Sequence, residues 1–369
     1  IDFRGAGNMW RYNKGEWSES YVFLKLLDEG VLYAADAELN KIDDIYYPII
    51  KVLHREFGKN MEFLPGDEII VKMQNTEEPI LRLPVEKFKR NSLLLLDKIR
   101  NAPKQARSFE IPEIESFLKG LNMTKVKADT GSKRDITVVV HDVFTGMNPT
   151  LGFSIKSQLG SPSTLLNASG KTNFIYELSD IDLSQEEIDE INALDRVIYR
   201  IEAIKSRGGR FKFVGTQEDI LGLNMQVVDS YLPEIMAQLL LTYYSTPGVA
   251  MLEPILELVE ERNPCNYSLT YGHPFYRYKI KKFLVEVALG MIPSEVWDGT
   301  YDATGGYIVV RADGEILCYH IYNRNEFEEY LIQNTRFDAP STSRWEYGEI
   351  YKEKNKLYLK LCLQIRFIK

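Results

Sequence analysis

The sequence predicts a protein of mixed α/β or α+β class, and three features carry that prediction. Segments with apolar residues at helical spacing alternate with short apolar segments of strand length along most of the chain. A region from about 217 to 292 shows helical patterns only, and the tail after it returns to strand patterns. No internal repeat or low-complexity tract is visible, so the order of elements itself defines the class.

The first predicted helix begins at Asn13, which forms a capping box with Glu16, and ends at Gly30. Its apolar residues recur at helical spacing: Trp17, Tyr21, Leu24 and Leu27. Strands are predicted at 31–35, 49–53, 68–74 and 79–83, helices at 85–101 and 112–121, and a hairpin at about 134–157.

The second half begins with a loop rich in Gly, Ser and Asn. One long helix is then predicted over about 184–205, with Ser184 and Glu187 as its capping box. "RFKFVG" is a predicted strand, and "DSYLPEIMAQLLLTYYS", "MLEPILELVEE" and "YRYKIKKFLVEVALG" are three predicted helices. A hairpin turns around Asp313-Gly314, and "KLYLKLCLQIRFI" is a single last strand.

The bulk composition excludes several classes. No apolar run reaches the roughly 18 residues of a membrane span, and the first residues lack the apolar segment of a signal peptide. The three cysteines are widely spaced, which argues against a disulfide framework and for a reducing, cytoplasmic setting. No Cys/His pair has zinc spacing.

The formal net charge of −8 does not indicate a nucleic-acid partner, but basic residues are locally clustered. They concentrate in three segments: 87–107 (Lys87, Lys89, Arg90, Lys98, Arg100, Lys104, Arg107), 205–212 (Lys205, Arg207, Arg210, Lys212) and 277–282 (Arg277, Lys279, Lys281, Lys282). These clusters are either solvated helix faces or the lining of a basic cleft in an acidic protein.

The hairpin "RDITVVVHDVFTGMNPTLGFSIKS" carries an acid, Asp135, and an amine, Lys156, at the same end of two otherwise apolar strands. A turn centred near Gly146–Met147 would pair residues whose numbers sum to about 293. Thr137 would then face Lys156, and Asp135 would face Gln158. Asp135 and Lys156 would be diagonal neighbours on a common face of the hairpin.

This pair has two interpretations. An aspartate is a hard oxygen ligand suited to Mg²⁺, which can polarise a phosphodiester and lower the pKa of a bound water. A lysine beside it can orient or deprotonate that water and stabilise the developing negative charge. The alternative is a plain ion pair at the edge of a sheet.

Several longer blocks resemble the HpaII family of type II restriction endonucleases. They are "NKGEWSESYVFLKLL", "LYAADAELNKI", "LGFSIKSQLGSPSTLLNAS", "TNFIYEL", "ILCYHIYNRNEFEEYL" and "STSR", and they extend from residue 13 to about 366. The resemblance implies a PD-(D/E)xK restriction-endonuclease-like core, with a central mixed sheet flanked by helices and a helical and β-rich C-terminal part.

Carried over to this sequence, the resemblance makes Asp135 the metal-binding aspartate and Lys156 the catalytic lysine. The middle acidic position of the motif holds Ser154, whose hydroxyl is a weaker Mg²⁺ ligand than a carboxylate. A recruited glutamate is therefore expected, with Glu19 as first choice, Glu16 as second and Glu177 as third. Gln158 would hold a phosphate or a water on the catalytic face.

Base recognition is expected in the C-terminal part, because arginine is the usual reader of guanine O6 and N7 in a G·C-rich target. Arg324, Arg336 and Arg344 are placed in loops there, and Ser341 and Ser343 could meet phosphates. The alternative is a surface loop whose arginines pair with acids. Lys171 and Asn173 are further candidate DNA contacts.

The expected activity is Mg²⁺-dependent cleavage of double-stranded DNA at a short palindrome, and the family resemblance suggests CCGG. A catalytic core over 1–216 and a recognition part over 217–369 are the expected domains. A cognate methyltransferase would protect the same site without needing to bind this chain. A homodimer is one of the oligomeric states left open.

The sequence leaves three other interpretations. "NASGKT" ends like the phosphate-binding loop of a P-loop NTPase, but Leu165 occupies the position of the first glycine. His320 followed by Asn323 is faintly similar to an HNH nuclease, although a half-buried strand position explains His320 better. A non-catalytic DNA-binding protein is the third, and metal-dependent strand scission would exclude it.

Overall fold

The computed structural model describes residues 9–56, 59–103, 107–124 and 133–368. The helices are α1 Lys14–Glu29, α2 Val85–Asn101, α3 Pro112–Gly120, α4 Gln185–Asn192, α5 Val197–Ser206, α6 Asp219–Val228, α7 Leu232–Ser245, α8 Leu252–Arg262, α9 Phe275–Leu289, α10 Arg324–Gln333 and α11 Thr342–Trp345. Single 3₁₀ turns lie at Gly170–Thr172 and Ile321–Asn323. The predicted mixed α/β class is confirmed.

The strands are β1 Arg11–Tyr12, β2 Val31–Ala35, β3 Lys41–Glu56, β4 Lys59–Leu64, β5 Glu68–Met73, β6 Pro79–Pro84, β7 Phe109–Glu110, β8 Ile136–Val140, β9 Thr150–Ser157, β10 Thr164–Leu166, β11 Asn173–Ser179, β12 Arg210–Thr216, β13 Gly306–Val310, β14 Ile316–Tyr319, β15 Thr335–Phe337, β16 Ile350–Glu353, β17 Lys356–Cys362 and β18 Ile365–Phe367. The predicted segment 49–53 lies in the C-terminal half of the much longer β3.

The chain divides into two compact units. The first comprises residues up to 163 together with 302–327, and the second comprises 164–301 together with 328–368. These two units are defined by packing between residues. The predicted boundary at residue 216 separates a catalytic part from a recognition part, and it stays a prediction.

The first unit is built around one mixed sheet in the order β2-β14-β13-β9-β8-β3-β4-β5-β6. β13 runs parallel to β9 and β14 parallel to β2, while the other neighbours are antiparallel. β2 also pairs with β3, so that β2, β14, β13, β9, β8 and β3 form a closed ring. The mixed character predicted for the central sheet is confirmed.

Helix α1 packs on β9 and β3 and lies inside the core of this unit. Its predicted capping box is present, since Asn13 Oδ1 accepts from the N–H of Glu16 and Glu16 Oε2 accepts from the N–H of Asn13. Gly30 ends the helix in the left-handed region, as expected of a C-cap glycine. Trp17, Tyr21, Leu24 and Leu27 are all buried, as their spacing predicted.

Two glycines allow β13 to enter the sheet beside β9. A Cβ on Gly305 would lie 2.7 Å from the ring of Phe153. Gly306 has φ +103°, and a Cβ there would collide with the carbonyl oxygen of Tyr319. These glycines bring a strand from the far part of the sequence against the predicted hairpin.

The second unit contains the sheet β12-β11-β17-β16, the small sheet β10-β18-β15 and helices α4–α9. The predicted all-helical region is confirmed as α6 to α9. Helix α7 packs against α5, α6, α8 and α9.

The single helix predicted over 184–205 is wrong, because the chain breaks between α4 and α5. Asn192 at the end of α4 bonds both the N–H and the carbonyl of Ile350, at 2.7 and 2.9 Å. The carbonyl of Leu194 accepts from Arg200 Nε at 2.9 Å instead of continuing the helical ladder. The capping box at Ser184 is present as predicted.

The single last strand is also wrong, because the segment changes sheets. β17 pairs with β11, and β18 pairs with β10 and β15. Between them, the N–H of Leu363 donates to the carbonyl of Thr172 at 2.9 Å. The chain is thereby redirected within the second unit.

None of the helices within the described residues is long and apolar enough to cross a membrane. All three cysteines are free thiols, which confirms that no disulfide framework is formed.

Candidate active site

The predicted hairpin is present, but its register differs from the expected one. Ile136 pairs with Phe153 and Thr137 with Gly152, so paired numbers sum to 289 instead of 293. The reason is the turn, which is centred on Phe144–Thr145 and held by Asp142. The Asp142 carboxylate accepts from the backbone N–H groups of Phe144 and Thr145 at 2.9 and 3.3 Å.

This change corrects the predicted cross-strand partners. Thr137 faces Gly152 and not Lys156, and Asp135 lies against Ser154 and not Gln158. The shift is four, an even number, and side chains alternate along a strand, so each residue keeps its predicted face.

Asp135 stands one residue before β8 and binds the opposite strand with its side chain. Its Oδ2 accepts from the N–H of Ile155 at 2.6 Å and from Ser154 Oγ at 3.2 Å. The N–H of Asp135 donates to the carbonyl of Phe153 at 2.8 Å. Ser154, buried at 3% exposure, is therefore a positioning contact for the carboxylate.

Lys156 lies two residues further along β9, on the face of Ser154. Burial lowers the pKa of its ammonium, and the negative charges of Asp135 and Glu19 oppose that shift. Its Nζ lies 5.4 Å from the centroid of the Tyr307 ring, on the parallel neighbour β13. The amine is thus surrounded by two carboxylates and one aromatic face.

Helix α1 brings Glu19 to this end of the hairpin. Ser18 Oγ donates to the carbonyl of Lys14 at 2.7 Å and lies 2.8 Å from Ser157 Oγ, which ties α1 to β9 beside Lys156. Glu19 follows Ser18, and its Oε2 is shielded from solvent. The charge of Glu19 also acts on the ammonium of Lys156, and the role of Glu19 as a metal ligand stays a prediction.

The other two acids are engaged elsewhere. Glu16 uses its Oε2 to cap α1, at 2.9 Å from the N–H of Asn13. Glu177 lies on β11 in the second unit, where Lys356 donates to both of its oxygens at 2.9 and 3.0 Å.

Gln158 lies just beyond β9. Its N–H donates to the carbonyl of Val310 at 2.9 Å, and its Oε1 accepts from the N–H of Ala312 at 3.3 Å. Its amide oxygen is therefore engaged with the β13–β14 turn.

The oxygen donors of Asp135 and Glu19, with the nearby hydroxyl of Ser154, are of the type that Mg²⁺ prefers, since this ion commonly takes one or two carboxylates and keeps several waters. Within the described ranges there is no group of three or more His, Cys, Asp or Glu side chains arranged to hold a metal. The donor set fits a magnesium ion bound by two carboxylates, and it does not fit a zinc site.

Sequence reasoning missed two charged residues at this end of the hairpin. Burial lowers the pKa of Lys133 to about 8; the charge of Lys156 lowers it further, and Asp135 and Asp302 oppose the shift. Asp302, from a segment far along the chain, accepts from the backbone N–H groups of Lys133 and Arg134. The alternation of residues from Asp135 indicates that Lys133 shares its face, but no sequence signal identifies Asp302.

The candidate DNA contacts of the second unit fall into two segments that meet. Asn173 Nδ2 donates to the carbonyl of Trp345 at 2.8 Å and to Gln217 Oε1 at 2.9 Å. Because Asn173 is fully buried, a direct contact with DNA does not fit it, and its side chain instead joins the two segments. Lys171 pairs with Glu218 at 3.2 Å.

The 341–344 segment is exposed in part. Ser341 caps the short helix α11 by accepting from the N–H of Arg344 at 3.4 Å, and its hydroxyl lies 3.2 Å from that of Ser343. Arg344 is exposed, with its guanidinium 4.7 Å from the centroid of the Trp345 ring. This arrangement leaves the guanidinium edge available to a ligand.

The other two arginines are not in loops, contrary to the prediction. Arg336 lies on β15 and pairs with Asp338 at 3.5 Å, which matches the alternative of a paired surface arginine. Arg324 is the first residue of α10 and belongs to the first unit.

The three basic clusters differ in how their charges are used. In 277–282 every cation is paired within the second unit: Arg277 with Glu253 and Glu329, Lys279 with Asp229, Lys281 with Glu329, and Lys282 with Glu328. In 205–212, Arg210 pairs with Asp180 at 3.2 Å. In 87–107, Lys98 pairs with Glu113 at 3.1 Å, and Lys104 lies outside the described residues.

The structure does not support the P-loop or the HNH motif considered from the sequence. Lys171 lies in a single 3₁₀ turn that leads into β11, so no helix leaves the "SGKT" segment as a P-loop requires. His320 follows β14 and is fully buried, not half-buried on a strand; burial lowers its pKa to about 4, against the opposing charge of Asp142.

Comparison with known proteins finds similar sequences along nearly the whole chain. The family described as HpaII restriction endonuclease matches residues 13–367. The chain is 45% identical over 358 residues to the type II restriction enzyme HpaII of Haemophilus parainfluenzae, covering 96% of this chain and 98% of that protein. No solved structure gives a significant match.

Proposed function

The chain belongs to the HpaII family of type II restriction endonucleases, and from this premise we propose that it hydrolyses double-stranded DNA with Mg²⁺ at the end of the β8–β9 hairpin. Family membership makes it a site-specific deoxyribonuclease. The observation that carries the proposed site is the convergence of Glu19 from α1 with Asp135 and Lys156 from the β8–β9 hairpin of the first unit.

In this proposal Asp135 and Glu19 hold the magnesium ion. The ion, when bound, polarises the phosphodiester and lowers the pKa of a water molecule. Ser154 keeps Asp135 in place through the 3.2 Å contact of its hydroxyl with Oδ2.

Lys156 positions the attacking water and handles its proton. Because burial lowers the pKa of this amine, a larger fraction is neutral at a given pH than for an exposed lysine. A neutral Nζ can accept the water proton, and a charged Nζ can stabilise negative charge on the phosphate oxygens. Gln158 would assist through its amide nitrogen, since its oxygen is bound to Ala312.

The target is proposed to be a short palindrome, with CCGG suggested by the family. The exposed Arg344 and the hydroxyls of Ser341 and Ser343 are the favoured contacts to DNA in the second unit. We also propose a cytoplasmic setting and protection of the same site by a methyltransferase. A homodimer would match the symmetry of a palindrome.

The test is digestion of DNA of known sequence with and without Mg²⁺, followed by mapping of the ends. Asp135→Ala and Lys156→Ala should each abolish cleavage while the fold and DNA binding stay largely intact, because affinity comes mainly from phosphate and base contacts elsewhere.

The outcomes discriminate between the proposals. Near-normal cleavage by either variant would remove that residue from the active site. DNA binding without Mg²⁺-dependent scission by the parent would favour a non-catalytic DNA-binding protein. Ends mapped at a site other than CCGG would change the target while leaving the catalytic assignment intact.

A further inference from the structure

A segment from the far part of the chain closes the open end of the catalytic hairpin. Asp302 Oδ2 accepts from the N–H of Lys133 and from the N–H of Arg134, the latter at 3.3 Å. Arg134 Nε lies 3.6 Å from the other carboxylate oxygen of Asp302. The two residues held in this way immediately precede Asp135.

The same segment also binds the partner strand. The N–H of Gly152 donates to Thr304 Oγ1 at 3.2 Å, and the N–H of Gly305 donates to the carbonyl of Gly152 at 2.7 Å. Residues 302–305, which we name the clamp segment, therefore contact both strands of the hairpin on either side of Asp135 and Ser154.

The packing between these parts is tight. A Cβ on Gly152 would lie 3.0 Å from Arg134 Cδ and 3.1 Å from the carbonyl oxygen of Asp302. Such close approach leaves little room for residues 133–135 to move while the clamp segment is bound.

We propose that Asp302 is a positioning residue, which holds the backbone before Asp135 so that the aspartate meets the metal at the required geometry. This inference rests on the proposed function, because it assigns Asp302 a role through the metal-binding carboxylate. Outer contacts of this kind typically change metal affinity by roughly 10–100-fold when they are removed.

The chain offers variants that separate geometry from charge. Asp302→Ala removes the acceptor of both N–H groups. Asp302→Asn keeps one oxygen, which is sufficient because a single atom, Oδ2, accepts both hydrogen bonds. Thr304→Val keeps the shape of the side chain and removes only the hydroxyl that binds Gly152, so it loosens the clamp even if Asp302→Ala does not fold.

The experiment measures Mg²⁺ in two ways, by the Mg²⁺ concentration for half-maximal cleavage and by the Mg²⁺-induced rise in unfolding temperature. In both measurements, Asp302→Ala should need at least roughly tenfold more Mg²⁺ than the parent. Thr304→Val should shift in the same direction by less, and Asp302→Asn should stay closer to the parent than to Asp302→Ala. Asp298→Ala is the control, because that loop aspartate also accepts a backbone hydrogen bond, from Thr300 at 3.0 Å.

Three results would overturn the proposal. The first is an unchanged Mg²⁺ requirement in Asp302→Ala. The second is an Asp302→Asn variant as impaired as Asp302→Ala, which would assign the effect to charge. The third is an effect of Asp298→Ala equal to that of Asp302→Ala. Asp135→Ala distinguishes the two levels of inference. If Asp135→Ala retains the Mg²⁺-induced stabilisation, the proposed metal site is wrong. If Asp135→Ala loses that stabilisation and Asp302→Ala keeps it, the metal site stands and only the positioning role of Asp302 is wrong.

Discussion

The carboxylate of Asp135 accepts hydrogen bonds at the point where the backbone pairing between β8 and β9 ends. The last ladder pair is Ile136 with Phe153, and just beyond it the N–H of Ile155 donates to the side chain of Asp135. One side chain thereby ends the pairing of β8 with β9 and presents a carboxylate at the start of β8, an inner strand of the sheet. Such a hydrogen bond to a charged group contributes about 1.5–3 kcal/mol, which is enough to hold the geometry.

Glu19 and Glu16 form a matched pair for testing the second acid, because they lie one turn apart on α1. Glu19→Gln should raise the Mg²⁺ requirement steeply with little loss of stability, since it removes a ligand charge. Glu16→Gln should leave the Mg²⁺ titration unchanged, because its carboxylate caps the helix. The measurements are cleavage rate against Mg²⁺ concentration and the unfolding temperature.

The reverse pattern, with Glu16→Gln sensitive to Mg²⁺ and Glu19→Gln not, would transfer the role to Glu16. If neither variant changes the titration, neither glutamate of α1 is the second metal ligand.

At the scale of elements, a buried polar side chain ties together the two segments that we propose to contact DNA. Asn173 joins the start of β11 to the carbonyl of Trp345, the last residue of α11. The ring of Trp345 in turn supports the guanidinium of Arg344. An arginine stacked in this way loses less conformational entropy on binding than a free one, so the segment is suited to recognition.

Arg344→Ala should lose affinity selectively for the cognate duplex, by about 1–3 kcal/mol, if its guanidinium reads a guanine. Arg336→Ala should have a smaller effect, because Asp338 already pairs with that arginine. Binding would be measured on the cognate duplex and on duplexes with single base changes. Equal losses on every duplex, or no loss in either variant, would place recognition on another surface.

At the scale of the whole molecule, a net charge of −8 requires that any DNA-binding surface be a local one. The basic clusters are not equivalent in this respect. The 277–282 cluster is neutralised by its own acids, whereas Lys87, Lys89 and Arg90 are exposed on α2, with no acid at ion-pair distance in the part of the chain that the structure describes.

Replacing Lys87, Lys89 and Arg90 by Gln should weaken binding to all DNA sequences alike. It should also flatten the dependence of log K on log salt by about one unit for each phosphate that the protein no longer neutralises. Lys281→Gln with Lys282→Gln is the control and should leave the slope unchanged. If the α2 variant has the same salt dependence as the parent, Lys87, Lys89 and Arg90 do not contact DNA and are ordinary surface residues.

Local sequence patterns were enough to predict the helix caps and the strands of the hairpin, and to select the main candidate residues. Capping boxes at Asn13 and Ser184, the C-cap at Gly30 and the alternation of the hairpin are local patterns, and all are present in the structure. The face shared by Asp135, Ser154 and Lys156 survived a register error of four residues, because only the parity of the shift decides the face.

Features that depend on distant partners could not be predicted in this way. The break between α4 and α5 is held by contacts of Asn192 and Arg200 with the segment near β16. The approach of Glu19 to Lys156 depends on how α1 docks on β9, and the clamp segment joins Asp302 to Lys133 across 169 residues of sequence. Periodicity reports which face of an element is buried, but it carries no information about which other element covers that face.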